Sequence, residues 1–186
     1  MSELPVSFLT IRRHSVKGTG VLKDMLAQEG IDKARRVGAE QMRGRGFTGV
    51  FVSPMIRTAQ TAMAFIEGAG DVTIGECGFR VMPLLGNATM AEWIARSGGR
   101  GNLVEIEAND PEFIQGVEVA LRGTYRQIIN LTPEGGHALV VTHTPCLELA
   151  VRALTGQTIG SMKECEGVLL RIDGDAVTIV EELRLP

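Results

Sequence analysis

The first apolar segment of the chain ends abruptly in a cluster of cations: Phe8-Leu9-Thr10-Ile11-Arg12-Arg13-His14-Ser15. An apolar, β-branched run of this length is typical of a buried strand. In an open α/β sheet, ligands bind just beyond the carboxyl ends of the strands. Arg13 and His14 therefore stand where a strand presents side chains to a ligand, and the fixed charge of arginine favours an anion.

Two further apolar segments end in the same way. Residues 138–142 run directly into His143, and residues 50–52 are followed closely by Arg57. An arginine and a histidine after a single strand also occur in ordinary solvated loops. Three strand ends that carry two histidines and two arginines indicate a binding site instead.

The composition is that of a soluble, single-domain protein. The 186 residues, 44% of them hydrophobic and 22% charged, are enough to bury a core in one domain over residues 1–186. The net charge of −3 gives no basic field of the kind that marks nucleic-acid binders. Its three cysteines have no paired spacing, which argues for a reducing, cytoplasmic setting. We expect no signal peptide and no membrane span.

Strand and helix patterns alternate along the chain. Predicted strands cover residues 5–12, 50–52, part of 72–84, and 138–142, and a terminal hairpin with an Asp-Gly turn covers 168–172 and 177–183. Predicted helices cover residues 31–43, 54–68, 89–96, 111–131 and 145–154. Gly30 interrupts the first helical pattern, so we place its start near Ile31. This order predicts an α/β protein, a three-layer α/β/α sandwich around a mostly parallel, mixed sheet.

The side chains at the strand ends suit phosphoryl transfer. Arg13 and Arg57 would hold phosphoryl oxygens through charge-assisted hydrogen bonds. One histidine would attack phosphorus as a neutral imidazole, and the other, protonated, would stabilise the developing charge. Because arginines can neutralise that charge, we predict neither a metal nor a cofactor.

Several motifs, in order along the chain, resemble the histidine phosphatase (phosphoglycerate-mutase-like) superfamily. Arg13-His14 resembles its Arg-His-Gly signature, and the segment from Val52 to Ala62 is similar to its Ser-Ser-Pro-x-x-Arg-Ala-x-Gln-Thr-Ala motif. Residues 140–143, Val-Val-Thr-His, resemble the strand that bears its second histidine. The resemblance implies a phosphoglycerate-mutase-like sandwich, with His14 as nucleophile, His143 as second catalytic histidine, and Arg13 and Arg57 as phosphate ligands.

The chain departs from the family pattern at two places. Ser15 replaces the glycine after the nucleophile, and we expect its hydroxyl to be close enough to contact the phosphate. The general acid is not evident, with Glu76 and Glu92 the nearest candidates and Glu76 our assignment.

The missing acid favours a labile phosphoryl bond, because a phosphoramidate needs less leaving-group protonation than an alkyl ester. His143-Thr144-Pro145 also resembles the small phosphohistidine phosphatases of the SixA-like branch. We therefore expect a phosphatase that acts on a phosphoprotein or a phosphorylated small molecule. We rank a mutase below a phosphatase. The alternative is a non-catalytic phosphate-binding or regulatory protein with the same fold. A nucleotide-binding Rossmann module lacks the glycine-rich turn after the first strand.

Overall fold

The computed structural model describes residues 6–71, 78–85 and 103–186. Within these ranges the strands are β1 (Ser7–Arg13), β2 (Gly49–Val52), β3 (Phe79–Val81), β4 (His137–Thr142), β5 (Gly167–Asp173) and β6 (Ala176–Leu183). The helices are α1 (Gln28–Gln41), α2 (Ile56–Ala69), α3 (Leu103–Asn109), α4 (Pro111–Leu131) and α5 (Cys146–Thr155).

One mixed sheet contains all the described strands, in the order β3-β2-β4-β1-β5-β6. The first four run parallel, while β5 pairs antiparallel with both β1 and β6. The predicted mostly parallel, mixed sheet is therefore confirmed, and the terminal hairpin supplies its antiparallel part. Parallel order brings the carboxyl ends of β2, β4 and β1 to one edge of the sheet.

Helices cover both faces of the sheet because side chains alternate along each strand. In β4, Ala138 and Val140 belong to a core shared with α4 and α5, whereas Leu139 and Val141 belong to a core shared with α1 and α2. The result is the three-layer sandwich. It places α2 and α5, which follow β2 and β4, beside the edge where those strands end.

Helix α4 has the bounds that its flanking residues predict. Asp110 precedes it and accepts a hydrogen bond from Phe113 N, and Pro111 occupies its first position, where no intrahelical donor is needed. The helix ends at Leu131, shortly before Pro133.

Two predicted helix starts are wrong. Helix α1 begins at Gln28 and not near Ile31, because Gly30 is a packing glycine inside the helix: a Cβ there would lie 2.2 Å from Val16 O. Helix α2 begins at Ile56 and not at Pro54. The packing of Gly30 against Val16 is a tertiary contact that the local pattern does not reveal.

Some predictions fall on residues outside the described ranges. The proposed acid Glu76, its alternative Glu92 and the predicted helix at residues 89–96 all lie there. In the part of the chain that the structure describes, no helix combines the length and apolar character needed to cross a bilayer.

Candidate active site

The two histidines predicted at strand ends face each other at one edge of the sheet. His14 follows β1 and His143 follows β4, and the ring centroids are 5.0 Å apart in an edge-to-face arrangement. The backbone holds the first of them in register, since His14 N donates to Thr142 O at 2.9 Å. Both rings are buried.

Arg57, in the first turn of α2, joins the two rings. Its Nε donates to His14 Nε2 at 3.2 Å, and its Nη2 lies 3.4 Å from His143 Nδ1. Its Nη1 is 3.9 Å from the exposed carboxylate of Asp24. Because a guanidinium only donates hydrogen bonds, His14 Nε2 and His143 Nδ1 are the ring nitrogens that carry lone pairs.

The other ring nitrogens agree with these tautomers. His14 Nδ1 lies 2.7 Å from Ser15 O, a carbonyl that accepts its proton. His143 Nε2 lies 2.7 Å from Ser53 Oγ and donates to it. The Ser53 hydroxyl in turn lies 3.0 Å from Thr58 Oγ1, whose own proton reaches a backbone carbonyl at 2.7 Å. Both imidazoles thus present a lone pair to the same cation.

Burial and neighbouring cations keep both imidazoles neutral. Burial, opposed in part by the hydrogen bond to Ser15 and reinforced by Arg57 and Arg13, lowers the pKa of His14 to about 4. Burial, with His14 and Arg57 beside the ring, lowers the pKa of His143 to about 3. Burial also lowers the pKa of Arg57. At neutral pH the site therefore combines an unprotonated nitrogen nucleophile with a guanidinium that attracts anions.

Arg13 lies beside this group, but its hydrogen bonds run to the segment before β5. Its Nη1 donates to Met162 O and its Nη2 to Glu164 Oε1, both at 2.8 Å. Its charge still contributes to the lowered pKa values of His14 and His143. The structure thus brings His14, His143 and Arg57 into direct contact and places Arg13 next to them. Phosphate binding by Arg13 and Arg57 stays a prediction.

Ser15 is fully buried behind the site, and its polar atoms have partners there. Its hydroxyl donates to Gly30 O at 2.7 Å, and its N–H donates to Thr61 Oγ1 at 3.0 Å. Neither proton is left for a phosphate oxygen, so this arrangement does not support the expected phosphate contact. The hydroxyl instead joins the segment after His14 to α1.

Two positioning side chains were not predicted. Ser53 directly precedes the helix predicted at residues 54–68, and its hydroxyl contacts His143. Its place at the end of the strand beside β4 was the available signal. Thr61 accepts from Ser15 N and donates to Arg57 O at 2.7 Å, so it links the turn after His14 to the first turn of α2. Within the described ranges no group of three or more metal-ligating side chains is arranged around a common point.

The chain matches one family model. The model described as "Histidine phosphatase superfamily (branch 1)" matches residues 20–181. The match begins after His14, so it rests on the remainder of the fold and on the segments that carry Arg57 and His143. No curated protein matches this chain in sequence.

Solved structures with the same fold include mutases and phosphatases. A phosphoglycerate mutase from Bacillus anthracis superposes with a TM-score of 0.69 at 16% identity, covering 97% of this chain and 93% of the other. A mycobacterial glucosyl-3-phosphoglycerate phosphatase gives 0.65 at 17% identity, covering 97% and 100%. The protein histidine phosphatase SixA, complexed with tungstate, gives 0.59 at 20% identity, covering 95% and 96%. At these identities the comparison establishes the fold.

Proposed function

Because the chain belongs to the histidine phosphatase superfamily, we propose that it is a metal-independent phosphatase that works through a phosphohistidine on His14. The observation that carries the proposal is the lone pair on His14 Nε2, which points at Arg57 Nε from 3.2 Å. A nitrogen that is unprotonated at neutral pH and adjacent to a guanidinium is suited to attack a phosphoryl group that the same guanidinium holds.

The first half-reaction transfers the phosphoryl group to the enzyme. The phosphoryl oxygens replace the two imidazole nitrogens as hydrogen-bond partners of Arg57. The lone pair of His14 Nε2 then forms the N–P bond. The bond from phosphorus to the leaving group breaks, and the leaving group takes a proton from the general acid, for which Glu76 remains the proposed residue. A bound dianion raises the pKa of His143, so that its protonated Nδ1 can donate to a phosphoryl oxygen.

The second half-reaction returns the free enzyme. A water oxygen attacks phosphorus, the N–P bond breaks, and its electron pair returns to His14 Nε2. The water gives its proton to the carboxylate that acted as acid, and inorganic phosphate leaves. No step needs a metal ion, since Arg57 and Arg13 carry the positive charge that offsets the phosphoryl oxygens.

For the substrate we propose a labile phosphoryl bond, as in protein phosphohistidine, with a small phosphate ester as the second class. The His143-Thr144-Pro145 segment, which resembles the SixA-like branch, and the absence of a carboxylate in a recognisable motif support this choice. A cytoplasmic location is part of the same proposal, which ranks a mutase below a phosphatase.

The test is hydrolysis of p-nitrophenyl phosphate and of a phosphohistidine-bearing protein, both in EDTA, by wild type, His14→Ala and Glu67→Ala. Glu67 pairs with Arg35 at the far end of α2 and serves as a control for surface substitution. We expect EDTA-resistant turnover that falls by at least about 10³-fold in His14→Ala, because the nucleophile is gone. Glu67→Ala should match wild type, and the P–N substrate should be preferred.

Three results would change the proposal. Turnover that survives His14→Ala would refute His14 as nucleophile. Vanadate binding without turnover on either substrate would identify a phosphate-binding protein. Phosphoryl transfer between hydroxyl groups of a sugar phosphate that exceeds release of inorganic phosphate would identify a mutase.

A further inference from the structure

One turn of the chain supplies both hydrogen-bond acceptors of Arg13. Met162 O accepts from Nη1 and Glu164 Oε1 from Nη2, and the side chains of Arg13 and Glu164 are 24% and 35% exposed. An arginine carries five N–H donors, two of them on each terminal nitrogen. Each Nη therefore keeps a second hydrogen for another acceptor, while the carboxylate and the carbonyl fix the plane of the guanidinium.

The turn that bears Glu164 is itself held at several points. Met162 N donates to the buried carboxylate of Glu148 at 2.8 Å. Arg12 Nη1 donates to Cys165 O at 2.8 Å, and Lys163 N donates to Glu166 Oε2 at 2.8 Å. These contacts come from β1, α5 and the turn itself, so the acceptors of Arg13 have little freedom to move.

The same turn contains backbone strain. Cys165 has φ of 67°, a left-handed conformation, and is the non-glycine residue with positive φ in the described part of the chain. Such a conformation costs about 1–2 kcal/mol for an L-residue. Strain of this kind persists where surrounding contacts over-determine the backbone, and it points to a position that the fold holds for a purpose.

Glu164 also lies within electrostatic reach of the nucleophile. Its charge acts to raise the pKa of His14, against the larger effects of burial and of Arg57 and Arg13. A carboxylate beside a phosphoryl site opposes anion binding by its charge. Its presence there is therefore most readily explained by what it does to Arg13, which is the one partner found for its side chain among the described residues.

We infer that Glu164 is a positioning residue, which holds Arg13 so that the remaining Nη hydrogens face a phosphoryl group at His14. The inference rests on the proposed function in that Arg13 is taken as a phosphoryl ligand. An unrestrained arginine loses up to about 2 kcal/mol of side-chain entropy when it is ordered. Glu164 orders it before the anion arrives, at the expense of a repulsive charge.

The test separates geometry from charge by comparing Glu164→Ala with Glu164→Gln. The glutamine amide oxygen still accepts from Arg13 Nη2 but carries no charge. We expect Glu164→Ala to weaken binding of inorganic phosphate about tenfold in calorimetry and to lower kcat/KM about as much, which corresponds to about 1.4 kcal/mol. Glu164→Gln should bind phosphate at least as tightly as wild type, and Glu67→Ala should leave both quantities unchanged.

A double-variant comparison shows whether Glu164 acts through Arg13. Arg13→Ala alone should weaken phosphate binding by more than tenfold, and Glu164→Ala should cause no further loss in that background. Tighter phosphate binding in both Glu164 variants would show that Glu164 acts only as a repulsive charge, and it would overturn the inference. So would additive effects of the two alanine variants, or unchanged phosphate binding in Arg13→Ala.

Phosphate binding needs no turnover, so the inference and the proposed function fail separately. A wild type that binds phosphate with the expected order of variants, but does not turn over, leaves the role of Glu164 standing and refutes the enzyme. Loss of activity in His14→Ala together with unchanged phosphate binding in Arg13→Ala would support the proposed enzyme and refute the role of Glu164.

Discussion

Arg57 determines the state of the site at the scale of single residues. By donating to His14 Nε2 and lying 3.4 Å from His143 Nδ1, it selects the tautomer of each ring and opposes protonation of both. The opposite nitrogens are then obliged to donate, and each has an acceptor 2.7 Å away. The orientation of His143 consequently depends on one hydroxyl group, that of Ser53.

Ser53→Ala tests this dependence. The change removes the acceptor of His143 Nε2–H and frees the ring to rotate away from the proposed phosphoryl position. We expect kcat to fall by about 10- to 10²-fold, since small misplacements of catalytic groups have effects of that size. The measurement is steady-state hydrolysis of p-nitrophenyl phosphate, with urea unfolding to show that the variant is folded.

Ser7→Ala is the matched control for that change. The Ser7 hydroxyl also accepts a hydrogen bond, from Gly135 N, at the opposite end of β1. The Ser7→Ala variant should lose little stability and no activity. Wild-type kcat in Ser53→Ala would show that the ring is held without the serine.

Close packing of α1 against α2 sets the position of Arg57 at the scale of secondary structure. A Cβ at Gly38 would lie 2.2 Å from Phe65 O, and a Cβ at Gly68 would lie 1.9 Å from Arg35 O. The two helices therefore approach through backbone atoms at two places along their length. Because α2 carries Arg57 in its first turn and α1 contacts the segment after His14, this helix pair fixes part of the site.

Gly68→Ala should destabilise the protein although alanine is the better helix former. The methyl group would separate the helices, and we expect a net loss of about 2–3 kcal/mol in the free energy of unfolding, after a propensity gain of about 1 kcal/mol. Gly123→Ala in α4 is the control, since nothing lies within 4 Å of its Cβ position. That variant should gain about 0.5–1 kcal/mol. Equal effects of the two substitutions, measured by urea unfolding, would contradict this account.

The sequence predicted the bounds of a helix correctly where interactions between neighbouring residues determine those bounds. The bounds of α4 follow from Asp110, Pro111 and the proline beyond its end, all of which act within one turn. The start of α1 was missed because Gly30 serves a contact with Val16 and does not break the helix.

The same distinction applies to the site. His14, His143 and Arg57 could be placed from strand ends and motifs. The pairing of Arg13 with Glu164 joins residues 151 positions apart and has no local signal. Arg12 likewise is fully buried, with Cys165 O and Gln41 Oε1 as partners that only the folded chain brings together.

At the scale of the whole molecule, all three histidines of the chain are buried and neutral. His137 is the first residue of β4 and lies away from the site. Its Nε2 is 2.8 Å from Thr10 Oγ1 and its Nδ1 is 3.2 Å from Arg45 O, so both nitrogens are satisfied without a charge. Burial, with the charge of Arg45 also acting in this direction, lowers its pKa to about 4.

Three depressed histidine pKa values make the fold sensitive to acid. The folded-state pKa values, about 4, 4 and 3, lie below the unfolded value of 6.5, so the unfolded chain binds protons first as the pH falls. The stability that these neutral histidines contribute is therefore present above about pH 6.5, and it is lost between there and about pH 4. Each histidine should remove roughly 2 kcal/mol of unfolding free energy between pH 7 and pH 5.

His137→Gln isolates one histidine from the other two. Glutamine does not titrate in this range, so the difference in unfolding free energy between pH 7 and pH 5 should shrink by roughly 2 kcal/mol, whatever the stability of the variant at pH 7. His14→Gln should shrink it by a similar amount, whereas Val141→Ala, a core change without a titrating group, should lower stability equally at both pH values. Urea unfolding at the two pH values measures the difference. A His137→Gln protein with the pH dependence of wild type would mean that His137 titrates normally in the folded state, and the buried, neutral pairing with Thr10 and Arg45 would have to be abandoned.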